Sequence, residues 1–174
     1  SKFNLDKDKL AVSCFKGDKD SPKDEEAYKI WLSMRIPKER IAFLSKEDNW
    51  WGPAGLTGPC GPDTEMFYWT SDENPPKEFN PKDKRWVEIW NDVFMQYNKT
   101  KESKYTSLKQ KNVDTGLGVE RVSMILQRKK SVYETELFQP IIKKIVELSK
   151  EDDIRLIRVI ADHLRAVTFI LGDN

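Results

Sequence analysis

The chain has 174 residues, 30 Lys+Arg against 29 Asp+Glu, and 34% charged against 38% apolar residues, which suits one ordinary domain, or a domain with a small appendage, under an evenly charged surface. A net charge of +1 argues against bulk attraction to nucleic acid or anionic lipid, so any RNA contact has to be local and specific. Two cysteines and one histidine are too few soft ligands for a closed zinc site, and no run approaches the ~20 apolar residues of a membrane span.

Cysteine scarcity and the lack of a basic-then-apolar leader point to a soluble protein of a reducing, cytoplasmic compartment. The start at Ser1 and the stop after Gly172-Asp173-Asn174 suggest a piece of something longer. Leu10 to Phe15 reads as a short strand. Ser21 and Asp24 around Pro22 make a capping-box start for a helix from Pro22 to about Met34, with Ala27, Ile30, Trp31 and Met34 as its buried stripe. Ile41 to Leu44 is a second short strand. Gly52, Gly55, Gly58 and Gly61, with Pro53, Pro59 and Pro62, form a stiff loop that lets a ligand or another chain segment approach the backbone closely. Thr64 to Trp69 and Trp86 to Tyr97 follow as strands, separated by the Asn74-Pro75-Pro76 turn.

In the second of these strands a two-residue period puts Val87, Ile89, Asn91, Val93 and Met95 on one face. Asn91, a lone amide among aliphatic neighbours, needs a partner from the protein or from a ligand. Thr106 to Val113 is a further strand, ending at Asp114, and Gly116 and Gly118 make the turn into a helix spaced by Val119, Val122 and Leu126. Two more helices are expected, Thr135 to Ser149 and Ile154 to Leu171, the latter with Ile157, Ile160, Leu164, Val167 and Leu171 as its stripe. Three to five strands before two long helices make an α+β domain whose helices pack on an antiparallel sheet or begin a helical appendage.

The pair Gly116 and Gly118 lacks the third glycine and the βαβ setting of a dinucleotide fingerprint, and no P-loop run exists. What remains is a carboxylate at a strand end, two glycines that allow close backbone approach, and Arg121 in the first helical turn. Such a set presents an anion to an ammonium and a planar cation to a phosphate or a base.

Five segments resemble the alanyl-tRNA synthetase family, and in that family's order. They are Asp48-Asn49-Trp50-Trp51, Thr57 through Pro62, Glu88-Ile89-Trp90-Asn91 on through Gln96, Val113 through Arg121, and Arg158 through Ala166. The resemblance implies a class II synthetase fold, with an antiparallel sheet and packed helices, incomplete at the N-terminus and ending in helices. Residues 1–130 would be the C-terminal part of the catalytic core with motif 3, and 131–174 the start of the tRNA-recognition region. It implies an alanine-tRNA ligase that joins alanine and ATP to alanyl-adenylate and then acylates tRNA(Ala), with Mg²⁺ as the counter-ion of ATP, no zinc in this segment, and no membrane or DNA partner.

By the same resemblance Arg121 contacts the adenine and the terminal phosphate of ATP, with Gly116 and Gly118 beside the nucleotide. Asp114 holds the substrate ammonium. Asn91 and Val93 line the alanine pocket, Trp51 is a wall of it, and Gly116 is the backbone nearest the substrate. No metal set is assigned; Glu65 is a lone candidate for Mg²⁺, short of the several oxygens such an ion recruits. Adenylate formation needs charge stabilisation more than a general base, so His163 reads as a hydrogen-bonded structural histidine. Cys60 reads as a small packed residue.

The chain departs from the family at Asp63, where a second Cys is usual, and in a longer loop from Gly52 to Leu56. The match begins after motif 2 with its phosphate-gripping arginine, so the isolated chain is expected to be inactive. Two other readings fit the same residues: a non-catalytic, synthetase-derived module that docks on a partner chain supplying motifs 1 and 2, and a free-standing nucleotide-binding domain. An unsatisfied sheet edge would favour self-association.

Overall fold

The computed structural model describes residues 2–150 and 152–173, and they divide after Gly118 into two compact units. The first is α+β. Its strands are β1 (Leu10–Phe15), β2 (Ile41–Leu44), β3 (Trp50–Trp51), β4 (Gly58–Trp69), β5 (Trp86–Lys99) and β6 (Tyr105–Leu117), and its helix is α1 (Glu25–Ser33). The strands form one six-stranded sheet in the order β2-β1-β4-β5-β6, with β3 also paired to β4. All pairs are antiparallel except β1 with β2, and that parallel pair is joined through α1, the crossover that parallel neighbours require.

Alternation along β1 gives the sheet two distinct faces. Val12 and Cys14 point to one, where they pack with Ala27 and Trp31 of α1, Ile36 and Ile41. Trp31 also donates its Nε1–H to Thr64 Oγ1 at 2.7 Å, which satisfies a buried indole. Ala11 points to the other face, into a cluster with Phe67, Trp69, Phe79 and Trp86. This aromatic cluster covers one end of that face.

Several elements differ from the sequence expectation for local reasons. α1 begins at Glu25, because Asp24 rather than Ser21 caps it, accepting from the Ala27 N–H at 2.9 Å. The Ser21 hydroxyl instead meets the Tyr97 hydroxyl at 3.1 Å. In so short a helix Ala27 and Trp31, one turn apart, are the buried residues, Tyr28 packs its ring against Phe43 of β2, and Ile30 and Met34 stay exposed. β4 starts within the Gly-Pro run, at Gly58. A Cβ on Gly61 would lie 1.8 Å from the Phe94 carbonyl oxygen, so that glycine serves a close strand approach and not a turn. β6 runs to Leu117 and carries Asp114 inside it.

The register of β5 contains an extra residue: Met66 pairs with Trp90 but Phe67 with Glu88. This bulge reverses the alternation around Ile89. Val87, opposite Tyr68, therefore lies on the face away from Asn91, and the expected five-residue face is broken there.

The second unit holds α2 (Val119–Leu126), α3 (Gln139–Ser149) and α4 (Ile154–Gly172). α3 begins at Gln139 and not at Thr135, whose side chain closes the short 3-10 turn at 132–134 by donating to the Val132 carbonyl at 2.6 Å. Pro140 then sits in the first helical turn, where its missing N–H is harmless. The core of this unit is Phe138, Ile142, Ile145, Ile157 and Ala161. α4 has nineteen residues against eleven in α3. Of its expected stripe, Ile157 is buried, while Ile160, Leu164, Val167 and Leu171 are exposed.

Candidate functional site

Across β1, β4, β5 and β6 the register aligns Ser13, Glu65, Asn91 and Gly116 in one row. Asp63, Val93 and Asp114 form the next row, which Asn49 extends through the Asp63 N–H to Asn49 carbonyl bond of 3.2 Å. Residues directly opposite in a ladder share a face, as do residues two apart in one strand. Ser13, Glu65, Asn91, Gly116, Asp63, Val93 and Asp114 therefore project from the same side of the sheet, beyond the aromatic cluster.

Burial falls off across this patch. Ser13, Asn49, Asp63 and Val93 are all buried, Asn91 and Glu65 are half-buried, and Asp114 and Gly116 are exposed. One end of the patch is therefore a dry wall and the other an open mouth. Adjacent strands lie ~4.8 Å apart, so Asp63 and Asp114 flank Val93 at about 10 Å between Cα atoms.

Asn91 and Gly116 are fitted to one another. A Cβ on Gly116 would stand 2.6 Å from Asn91 Oδ1, so the carboxamide of Asn91 lies over the glycine backbone. Asp114 lies diagonally from Asn91, two residues along β6 from Gly116, a neighbour distance of roughly 7 to 8 Å. Its Oδ1 accepts from the Thr115 N–H at 3.0 Å. The register thus brings together Asn91, Val93, Asp114 and Gly116, all four expected from the sequence.

Gly118 donates its N–H to the Ile89 carbonyl at 3.0 Å and ends the β5/β6 pairing. Trp51 pairs with Gly61, two residues before Asp63, and is 39% exposed. Arg121 is exposed in the first turn of α2, in the second unit. Glu65 sits between Ser13 and Asn91 in its row, but among the described residues no three His, Cys, Asp or Glu side chains converge on a metal position, so these side chains do not make a cage for Mg²⁺. His163 Nδ1 meets the Val159 carbonyl at 2.9 Å, one helical turn back on α4. Cys14 and Cys60 are free and fully buried. Burial pushes both thiols up, Cys14 to about 12.

The sequence assigned no role to Ser13, showed Asn49 only inside the Asp48-Asn49-Trp50-Trp51 segment, and showed Asp63 only as a departure. Asn49 donates both amide hydrogens, to Ser13 Oγ at 2.8 Å and to Asp63 Oδ1 at 2.9 Å. Burial pushes the Asp63 carboxyl up to about 6, against the hydrogen bond from Asn49 and reinforced by the negative charge of Glu88. The available signal was the Asp63/Glu65 alternation, which puts two acids on one face once β4 is extended back through the Gly-Pro run.

A family model described as tRNA synthetases class II (A) matches residues 1–174. The chain belongs to that family. Among curated relatives, an alanine–tRNA ligase of Treponema denticola is 52% identical over 174 aligned residues, with 95% of this chain and 29% of the relative covered. One from Borrelia hermsii is 49% identical over 180 residues, covering 99% and 30%. One from Rubrobacter xylanophilus is 37% identical over 183 residues, covering 96% and 21%. The chain thus spans about three tenths or less of the length of these relatives. Among the described residues, no helix is long and apolar enough to cross a membrane.

Proposed function

We propose that these residues form the amino-acid half of the adenylate-forming site of a cytoplasmic alanine–tRNA ligase. In this reading Asp114 holds the α-ammonium of alanine, and Asn91, Val93 and the Gly116 backbone bound a space sized for a methyl group. Trp51 closes a side of it, and Gly116, Gly118 and Arg121 serve ATP. An alanine carboxylate oxygen attacks the α-phosphorus of ATP in line as the bond to pyrophosphate breaks. The tRNA(Ala) terminal hydroxyl then attacks the alanyl carbonyl and AMP leaves. A pocket that holds reactants in register and sets fixed charges around them supplies the main catalytic terms for such a displacement. Mg²⁺ would travel with the nucleotide phosphates as their counter-ion. Residues 1–130 would belong to the catalytic core and 131–174 to the start of the tRNA-recognition region. A free edge of β6 would be the place for a further strand of the same enzyme or for self-association.

The observation that carries the reading is the shared face of Asn91, Val93, Asp114 and Gly116, with the carboxamide of Asn91 packed over Gly116. The test puts the 174 residues in place of the matching segment of the Treponema denticola ligase and measures ATP–pyrophosphate exchange. Exchange dependent on alanine is expected, and Asp114→Ala should lower kcat/KM for alanine by roughly 10- to 100-fold, the worth of a charge-assisted hydrogen bond. An unchanged alanine response in Asp114→Ala would refute the assignment.

A further inference from the structure

A buried acid that only completes a core is replaceable by a neutral residue of similar size at little cost. Asp63 is 3% exposed and stands immediately beside Val93 in the pocket row. Its partner Asn49 is 0% exposed. Both amide hydrogens of Asn49 are used, on Ser13 Oγ and Asp63 Oδ1, while its own Oδ1 is buried with no hydrogen-bond partner. The orientation of Asn49 therefore hangs on its two donor bonds alone, with nothing on the oxygen side to hold it. Asn49 in turn leads directly into β3, which carries Trp51 and pairs with Gly61 and Pro62.

Resting on the pocket assignment above, we propose that Asp63 is a positioning residue for alanine: held to Asn49, it fixes the buried wall behind Val93 and the entry of β3, and so sets the depth of the space that receives the methyl group. The carboxyl acts here as an acceptor for Asn49, on the side of Val93 away from Asp114, and does not touch the reacting atoms. An asparagine at position 63 presents an amide oxygen in the same place and keeps that bond. Alanine at position 63 removes it, and alanine at position 49 removes it from the other side.

The experiment uses the same exchange assay with the complete 174 residues in the Treponema denticola frame, reading KM for alanine, KM for ATP, kcat and the melting temperature for Asp63→Ala, Asp63→Asn, Asn49→Ala and the Asp63→Ala/Asn49→Ala pair. Asp63→Ala should raise KM for alanine by about tenfold, the loss of one hydrogen bond to a charged group, and leave KM for ATP and kcat within about twofold. Asp63→Asn should restore KM for alanine to within about threefold. Asn49→Ala removes the bond to Asp63 together with the one to Ser13 Oγ and should raise KM for alanine at least as much as Asp63→Ala, and the pair should be no worse than Asn49→Ala alone, since the bond between the two residues is already lost there. The proposal is overturned if Asp63→Asn is as impaired as Asp63→Ala, or if both KM values and kcat move together with the melting temperature. Should Asp63→Ala fail to fold, Asn49→Ala decides, a rise in KM for alanine alone supporting the proposal and no change overturning it. Asp114→Ala runs alongside: a raised KM there with no effect at positions 63 and 49 defeats this proposal alone, and no effect at position 114 defeats the pocket with it.

Discussion

The buried carboxyl of Asp63 couples the stability of the first unit to pH, and Asp63→Asn isolates that coupling. In the unfolded chain the group titrates near 3.8, and in the folded unit burial pushes it up to about 6. Between those values the folded state keeps a proton that the unfolded state has lost, so folded stability falls as pH rises through the window and the loss is complete above it. A shift of a little over two units corresponds to about 3 kcal/mol, of which about 2 kcal/mol develops between pH 4.5 and 7.5. Asparagine keeps the oxygen that Asn49 reaches but has no charge to desolvate. The variant should therefore gain on the parent by about 2 kcal/mol between pH 4.5 and 7.5, in urea unfolding at fixed salt. All six tryptophans, at positions 31, 50, 51, 69, 86 and 90, lie in the first unit, so indole fluorescence reports that unit alone. A difference between parent and variant that stays constant across this range would show that Asp63 titrates no differently folded and unfolded, and would refute the reasoning.

Gly116→Ala should cost under about 1 kcal/mol in the same unfolding assay, because the new methyl group meets only the swinging end of Asn91. In the exchange assay it should raise KM for alanine by about tenfold as that carboxamide is displaced. Trp31→Phe removes the donor to Thr64 Oγ1 and part of a packed indole, and should destabilise the first unit by about 2 kcal/mol, read as a lower urea midpoint. Cys14 and Cys60 are fully buried with raised thiol pKa values, so a thiol reagent at pH 8 should label neither in the folded chain and both in urea; rapid labelling of the folded chain would contradict their burial.

What was legible in the sequence is what local rules control. Leu10–Phe15 and Ile41–Leu44 came from hydrophobic patterning and match β1 and β2 residue for residue. The succession of strand, glycine and helix ahead of Val119 came from residue chemistry, but Gly116 lies inside β6, paired with Asn91, and only Gly118 stands between strand and helix. Register was not legible, because it depends on pairings between segments far apart in the chain. Asn49 lies fourteen residues from Asp63 and thirty-six from Ser13, and nothing in the local pattern around Asn49 announces that it donates to both. The Gly-Pro run misled for a related reason: its glycines suggest a loop until the Phe94 carbonyl, on another strand, is seen to need the space at Gly61.

The bulge in β5 shows how register makes the site. The aromatic cluster of Phe67, Trp69, Phe79 and Trp86 covers one end of the sheet face, and the polar rows occupy the other. An uninterrupted alternation back from Asn91 would set Ile89 and Val87 on that face. The extra residue instead pairs Glu88 with Phe67, which puts Glu88 on the polar side, where its charge helps to raise the Asp63 carboxyl. Drawing Ile89 into the ladder opposite Phe67, with no bulge, would slip the Trp86 to Glu88 segment by one position and turn every side chain in it to the opposite face. Trp86 would leave the aromatic cluster and Glu88 the neighbourhood of Asp63 in a single step. The packing of one end of the sheet and the electrostatics of the other are thus set by the same backbone irregularity.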